Sequence, residues 1–157
     1  MGRYKFRRIV LYFPHRISPL NLCLARSVGW EQHPADFIAP LHNGEGIGPR
    51  FGDTYTKLSL WTPDQLGIDK VVYFDADTLV RRRFDKLFAM PFDFAAVTDV
   101  WPNERGFTLA VNSGVLLLRP STTVFESLLA RMEDAVYPCG SAGQASGCRS
   151  SPTGTSS

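Results

Sequence analysis

The 157-residue sequence is short of several features, and each shortage removes a class of function. It has three cysteines, Cys23, Cys139 and Cys148, an odd number without the paired spacing of a zinc site, so neither a disulfide framework nor a structural zinc is expected. That cysteine usage fits an intracellular, cytoplasmic chain. No apolar run approaches the roughly 20 residues of a spanning helix, and Ile9 to Phe13 is too short for a signal-peptide core, so no signal peptide or membrane segment is expected. Met1-Gly2 opens like a lipidation site but has Phe6 where Ser or Thr is needed. Charge of one sign is also scarce. With 17 Lys and Arg against 15 Asp and Glu, the formal charge of +2 is too small for phosphate-dominated binding, so no nucleic-acid partner is expected. The one dense basic run, Arg81-Arg82-Arg83, reads as a solvated face.

What is present is a core and an alternation of strand and helix signals. A content of 44% hydrophobic residues suffices for one globular unit. Ile9 to Phe13 is a short β-branched and aromatic run that stops at Pro14, as a buried strand does. Ser18 can cap a helix with Pro19 in its first turn; Leu20, Leu22, Leu24, Ala25 and Val28 give it an apolar face, and Gly29 closes it. A second strand is expected around Asp36 to Ala39, completing a βαβ unit. His42 to Gly52 reads as a loop, and Thr54 or Thr56 as the cap of a helix through Trp61.

Val71-Val72-Tyr73-Phe74 is the clearest strand signal and runs directly into Asp75. Phe94 to Val97 and Gly114 to Leu118 predict two more buried strands, joined by a turn-rich stretch around Pro102, Asn103 and Gly106. Val124 to Met132 predicts a covering helix with Phe125, Leu128, Leu129 and Met132 on one side. After Tyr137 the composition turns to Gly, Ser, Ala, Thr and Pro, so residues 1–137 are expected to form the domain and 138–157 a disordered tail.

Chemistry concentrates at Asp75 and Asp77. Residues two apart on a strand share a side, and ligands of open α/β sheets bind beyond the strands' carboxyl ends. Two hard carboxylates there suit Mn²⁺ or Mg²⁺, an ion that keeps places for phosphate oxygens. Such an ion stabilises negative charge on a departing diphosphate as a Lewis acid. The plainer alternative is that Asp77 caps a turn while Asp75 is solvated.

The stretch DTYTKLSLWTPDQLGIDKVVYFDADTLV, followed by FAAVTDVWPNERGFTLAVNSGVLLLRPS, resembles the glycogenin-like family 8 glycosyltransferases, in which a lysine-bearing helix precedes a strand ending in Asp-x-Asp. The likeness runs from about Tyr12 to Glu133. It implies an α/β fold, a GT-A (Rossmann-like) nucleotide-diphospho-sugar transferase sheet with flanking helices, present in part. It further implies hexosyl transfer from a UDP-sugar donor, with retention and metal-assisted departure of UDP, to a protein, glycan or polyol acceptor. By the same resemblance Asp75 and Asp77 bind the metal, the backbone near Ala76 holds the ribose, and Lys57 contacts the nucleotide sugar. Asp99, Asn112 and Ser113 fall on positions lining the donor-sugar pocket. Read without the resemblance, Lys57 is one charge on an amphipathic helix, and Asn112, Ser113 and Asp99 are turn residues.

The sequence departs from the family at both ends. The base-binding strand expected ahead of Ile9 is missing, and the Asp-Gln motif and metal-binding His expected after the NSGV block are absent, since Gln144 in SAGQASG has no Asp before it. The expectation is therefore a truncated chain, and a catalytically silent fragment is the alternative to an active transferase. A remoter alternative is a haloacid-dehalogenase-type phosphatase, whose Asp-x-Asp-x-Thr motif VVYFDADTLV resembles superficially, with Leu79 in place of the Thr.

Overall fold

A computed structural model describes residues 6–40, 52–103, 106–132 and 134. The expected tail 138–157 and most of the expected loop from His42 to Gly52 lie outside them. The fold is α/β, consistent with part of a GT-A domain, and its strands fall into a parallel pair and an antiparallel triplet.

The parallel pair is a βαβ unit. Strand β1 (Ile9–Tyr12) leads to helix α1 (Pro19–Ser27), which returns the chain to β2 (Glu31–Pro34). The helix begins as its sequence demands: the Ser18 hydroxyl accepts from the Asn21 amide at 3.2 Å, and Pro19 supplies a preset φ where no N–H is needed. Gly29, at φ +84°, ends it, because that left-handed conformation is open to glycine without steric cost. The reversal there is tight enough that Glu31 N–H already reaches Arg8 O at 2.7 Å. The second strand therefore starts five residues before the expected Asp36 and ends at Pro34. The apolar face expected for α1 is not buried; Leu20, Leu24 and Val28 are exposed.

The triplet has the order β3-β5-β4, with β5 in the middle and both neighbours antiparallel to it. Strand β3 (Val71–Phe74) is covered on both sides, which explains its unbroken apolar run. Val71 and Tyr73 pack on the core of Leu60, Leu116 and Leu118, where Leu118 is fully buried. Phe74 turns the other way onto Phe84, ring centroids 5.0 Å apart, in a group with Phe6 and Phe88. Strands β4 (Phe94–Asn103) and β5 (Gly106–Leu118) run far beyond the two short strands expected, as one long hairpin. Pro102, Asn103 and Gly106 thus belong to its outer end instead of a loose connection.

The helix expected through Trp61 is present as a 3₁₀ helix, Thr54–Trp61, and a second 3₁₀ helix follows at Pro63–Leu66. The expected caps do not act there. Thr56 is buried and its hydroxyl accepts from the Ile38 amide at 3.1 Å, while Asp53 at the first helix's start makes no side-chain cap. Helix α2 (Thr122–Met132) packs over both segments, with Phe125, Leu128, Leu129 and Met132 half-buried. Asp64 joins them: its carboxylate accepts from Thr122 N–H at 2.6 Å and Thr122 Oγ1 at 2.7 Å, at the helix's positive end.

Candidate functional site

Three segments far apart in sequence meet at the carboxyl end of β3. Lys57 comes from the first 3₁₀ helix, Asp75 follows the last residue of β3, and Ser113 lies within β5. Lys57 Nζ is 2.8 Å from Asp75 Oδ1 and donates to Oδ2 at 3.0 Å. The same ammonium donates to Ser113 O at 3.2 Å and Ser113 Oγ at 3.1 Å. It lies 5.4 Å above the centre of the Tyr73 ring, within cation–π range. Lys57 thus ties the end of β3 to β5.

The sheet is irregular at this point. Ala96 faces Leu116, but the next residue, Val97, faces Asn112, so Ser113, Gly114 and Val115 have no counterpart in β4. Such bulges re-aim side chains and disrupt the ladder locally. Gly114 O still accepts from Asp75 N–H at 2.9 Å, which holds the bulged stretch against β3. Asn112 is exposed, and its Oδ1 accepts from Gly114 N–H at 2.8 Å. A Cβ on Gly114 would meet Asn112 Oδ1 at 3.0 Å and Asp75 Oδ2 at 3.4 Å, so only glycine fits without displacing its neighbours.

Asp75 also takes the Tyr73 hydroxyl, 2.5 Å from Oδ1. Its half-burial pushes the carboxyl up, but the hydrogen bonds from Lys57 and Tyr73 and the Lys57 charge outweigh that and hold it below the usual carboxylate range. Burial, the bond to Asp75 and the charges of Asp75 and Asp77 push the Tyr73 phenol up, so it remains a protonated donor.

Asp77 is placed differently from the strand-alternation expectation. Strand β3 ends at Phe74, and a turn closed by Thr78 N–H to Asp75 O at 2.9 Å carries Ala76 and Asp77, both exposed. The turn, not the strand period, therefore sets the direction of the second carboxylate. Asp99 is half-exposed in β4, its Oδ1 accepting from its own neighbour Val100 N–H at 3.0 Å. Its register opposite Ala110, two residues from the Val97–Asn112 pair, puts it on the Asn112 face of the hairpin. Of the expected site residues, Lys57, Asp75 and Ser113 are thus in direct contact and Asn112 borders them, whereas Ala76 and Asp77 follow on the adjoining turn and Asp99 lies two residues further along the hairpin.

Two members of the cluster escaped the sequence reading, Tyr73 and Gly114. Both left a signal. Tyr73 is two residues before Asp75 on a strand, and Gly114 interrupts an otherwise apolar strand, the mark of a bulge or close approach. Among the described residues no group of three or more His, Cys, Asp and Glu side chains is assembled as a metal cage. A separate cavity of about 300 Å³ between β1, β2 and the 3₁₀ helices is lined by Leu11, His33, Asp36 and Phe125 and includes none of the Lys57 cluster. Among the described residues no helix is long and apolar enough to cross a membrane.

No family model matches the chain. Individual proteins do. Glycogenin-1 of Caenorhabditis elegans is 40% identical over 82 residues, 52% of this chain and 17% of that protein. UDP-glucuronate:xylan alpha-glucuronosyltransferase 2 of Arabidopsis thaliana is 33% identical over 131 residues, 83% of this chain and 20% of that protein. Inositol phosphorylceramide glucuronosyltransferase 1 of the same plant is 30% identical over 118 residues, 74% of this chain and 20% of that protein. The chain therefore spans about a fifth of the length of these relatives. All three are glycosyltransferases, which leaves the phosphatase alternative without support. The chain's homologues are thus glycosyltransferases of the glycogenin-like family 8, and its α/β sheets are consistent with part of such a fold.

Proposed function

We propose that this chain carries the donor side of a hexosyltransferase site that uses a UDP-sugar, and that Lys57, Asp75, Ala76, Asp77, Asp99, Asn112 and Ser113 form it. The observation that carries the proposal is the Lys57 ammonium, which joins the carboxylate after β3 to the bulge of β5. Three segments are held together there by charged hydrogen bonds, at the strand end where α/β sheets bind their ligands.

The residues fit a hard divalent cation of an open kind. Two carboxylates without a third protein ligand among the described residues suit Mn²⁺ or Mg²⁺, which leave most of their positions to phosphate oxygens and water. Asp75 and Asp77 would hold it, and it would supply Lewis-acid stabilisation of the charge on the departing diphosphate. Lys57 adds a second positive charge beside that group. The exposed Asn112, with the half-buried Ser113 hydroxyl, has polar atoms able to hydrogen-bond sugar hydroxyls. Transfer would proceed with retention to a protein, glycan or polyol acceptor.

Titration calorimetry of UDP in the presence of Mn²⁺, on the wild type and on the Asp75→Asn, Asp77→Asn double variant, tests this reading. Binding lost in the variant is the expected result, and equal binding in both overturns it. A second reading is a chain that binds the donor without turning it over, since among the described residues no third protein ligand joins Asp75 and Asp77. Release of UDP from UDP-glucose by the wild type, absent from the double variant, decides for turnover. Binding without such release decides for the silent form.

A further inference from the structure

We propose that the Tyr73 hydroxyl is a positioning group for Asp75: it occupies Oδ1 and thereby leaves Oδ2 as the oxygen that Asp75 offers to a cation. The proposal rests on the reading that Asp75 binds a divalent cation. A carboxylate has about four acceptor positions on its two oxygens. Oδ1 takes the Tyr73 hydroxyl at 2.5 Å and has Lys57 Nζ at 2.8 Å. Among the described residues, Oδ2 takes Lys57 alone, at 3.0 Å. The oxygen with spare capacity is Oδ2.

Two further features agree with this assignment. Gly114 faces Oδ2, where a Cβ would stand 3.4 Å away in van der Waals contact, so the glycine leaves more room on that side of the carboxylate. The Tyr73 ring packs on the core of Leu60, Leu116 and Leu118, which fixes where its hydroxyl points. A half-buried ring with two side-chain torsions is a firmer support than a long polar side chain. The same ring lies under the Lys57 ammonium, so one aromatic side chain steadies both groups on Asp75.

Tyr73→Phe separates positioning from packing, because it keeps the ring against the core and under Lys57 and removes only the donor. Mn²⁺ binding in the presence of UDP, followed by the electron paramagnetic resonance signal of free Mn²⁺, is the readout, with thermal unfolding measured without metal as the control for fold. Removing the outer support of a metal-ligating group costs about 10-fold to 100-fold in affinity. Tyr73→Phe is therefore expected to bind Mn²⁺ at least about tenfold more weakly. p-Aminophenylalanine at position 73, which restores a donor on the same ring, is expected to recover most of the loss. Affinity in Tyr73→Phe equal to or tighter than wild type, while Asp75→Asn loses binding, overturns the role of Tyr73 and leaves the cation reading standing. Wild-type affinity in Asp75→Asn overturns the cation reading and the Tyr73 proposal with it. A p-aminophenylalanine variant as weak as Tyr73→Phe also counts against the donor role.

Discussion

Replacing Lys57 by Met and Asp75 by Asn, singly and together, measures the contact on which the site depends. The two side chains are 22% and 32% exposed, so the pair sits between two regimes. Exposed pairs contribute about 0–1 kcal/mol, whereas removing one partner of a fully buried pair costs about 3–5 kcal/mol. Solvent screening at this exposure argues for the lower half of that interval. Lys57→Met also gives up two hydrogen bonds to Ser113, so its own cost is about 2 kcal/mol, of which about 1–1.5 kcal/mol is coupling with Asp75. Urea unfolding followed by circular dichroism reads this as a midpoint shift of roughly 1 M for the single variant, given slopes of about 1–3 kcal/mol/M. The coupling is expected to survive added salt better than an exposed pair would, because its charges are partly shielded from mobile ions. A coupling below about 0.3 kcal/mol, or loss of stability that is strictly additive in the double variant, refutes the claim that Lys57 and Asp75 act as a pair.

The same pair sets an acid dependence. Because the folded state holds the Asp75 carboxyl below its unfolded value of about 4, its contribution is present above that pH and is lost as pH falls through the folded value. The stability gap between wild type and Asp75→Asn should therefore narrow below about pH 4 in urea titrations at stepped pH, and a constant gap contradicts the pairing. Gly114→Ala should leave far-ultraviolet circular dichroism unchanged yet weaken Mn²⁺ binding with UDP, since its Cβ presses on Asn112 Oδ1 and faces Asp75 Oδ2. Leu118→Ala, at a fully buried position, should cost about 3 kcal/mol in urea unfolding; Leu109→Ala, 64% exposed on the hairpin, should stay within about 0.5 kcal/mol. Asp64→Ala should lower the unfolding midpoint by uncapping α2, and Asp64→Asn, which keeps one acceptor oxygen, should lower it less.

How far the sequence could be read depended on whether a residue's partner was local. Ser18 bonds three residues ahead and Pro19 acts on its own φ, so the start of α1 was legible. The apolar run before Asp75 announced β3 because burial on both sides leaves no polar residue to confuse it. Glu31-Gln32-His33-Pro34 carries no strand signal at all; it is a strand because the turn at Gly29 delivers it beside β1, where parallel pairing overrides propensity. Thr56 looked like a cap and is instead the partner of a distant amide, Ile38 N–H. A hydroxyl's preference for nearby backbone was overruled by a tertiary contact that no local pattern shows.

The site follows the same division. Asp75 was legible from its place after β3, and Lys57 and Ser113 only through the likeness to a family, because nothing local says that residues 56 apart will touch. What brings them together is the stretch Ser113-Gly114-Val115, where β5 leaves β4 but keeps its bond to Asp75 N–H. Had β5 stayed in register with β4 from Leu116 outward, Val115 and Gly114 would have faced Val97 and Thr98. Ser113 would then have been one more ladder residue, its carbonyl turned to a neighbouring strand. Leaving that ladder is what frees its carbonyl and hydroxyl to accept from Lys57. The irregularity in the sheet is thus the structural cause of the cluster, and its glycine is the residue that lets a carboxylate, an amide side chain and a strand crowd into one place.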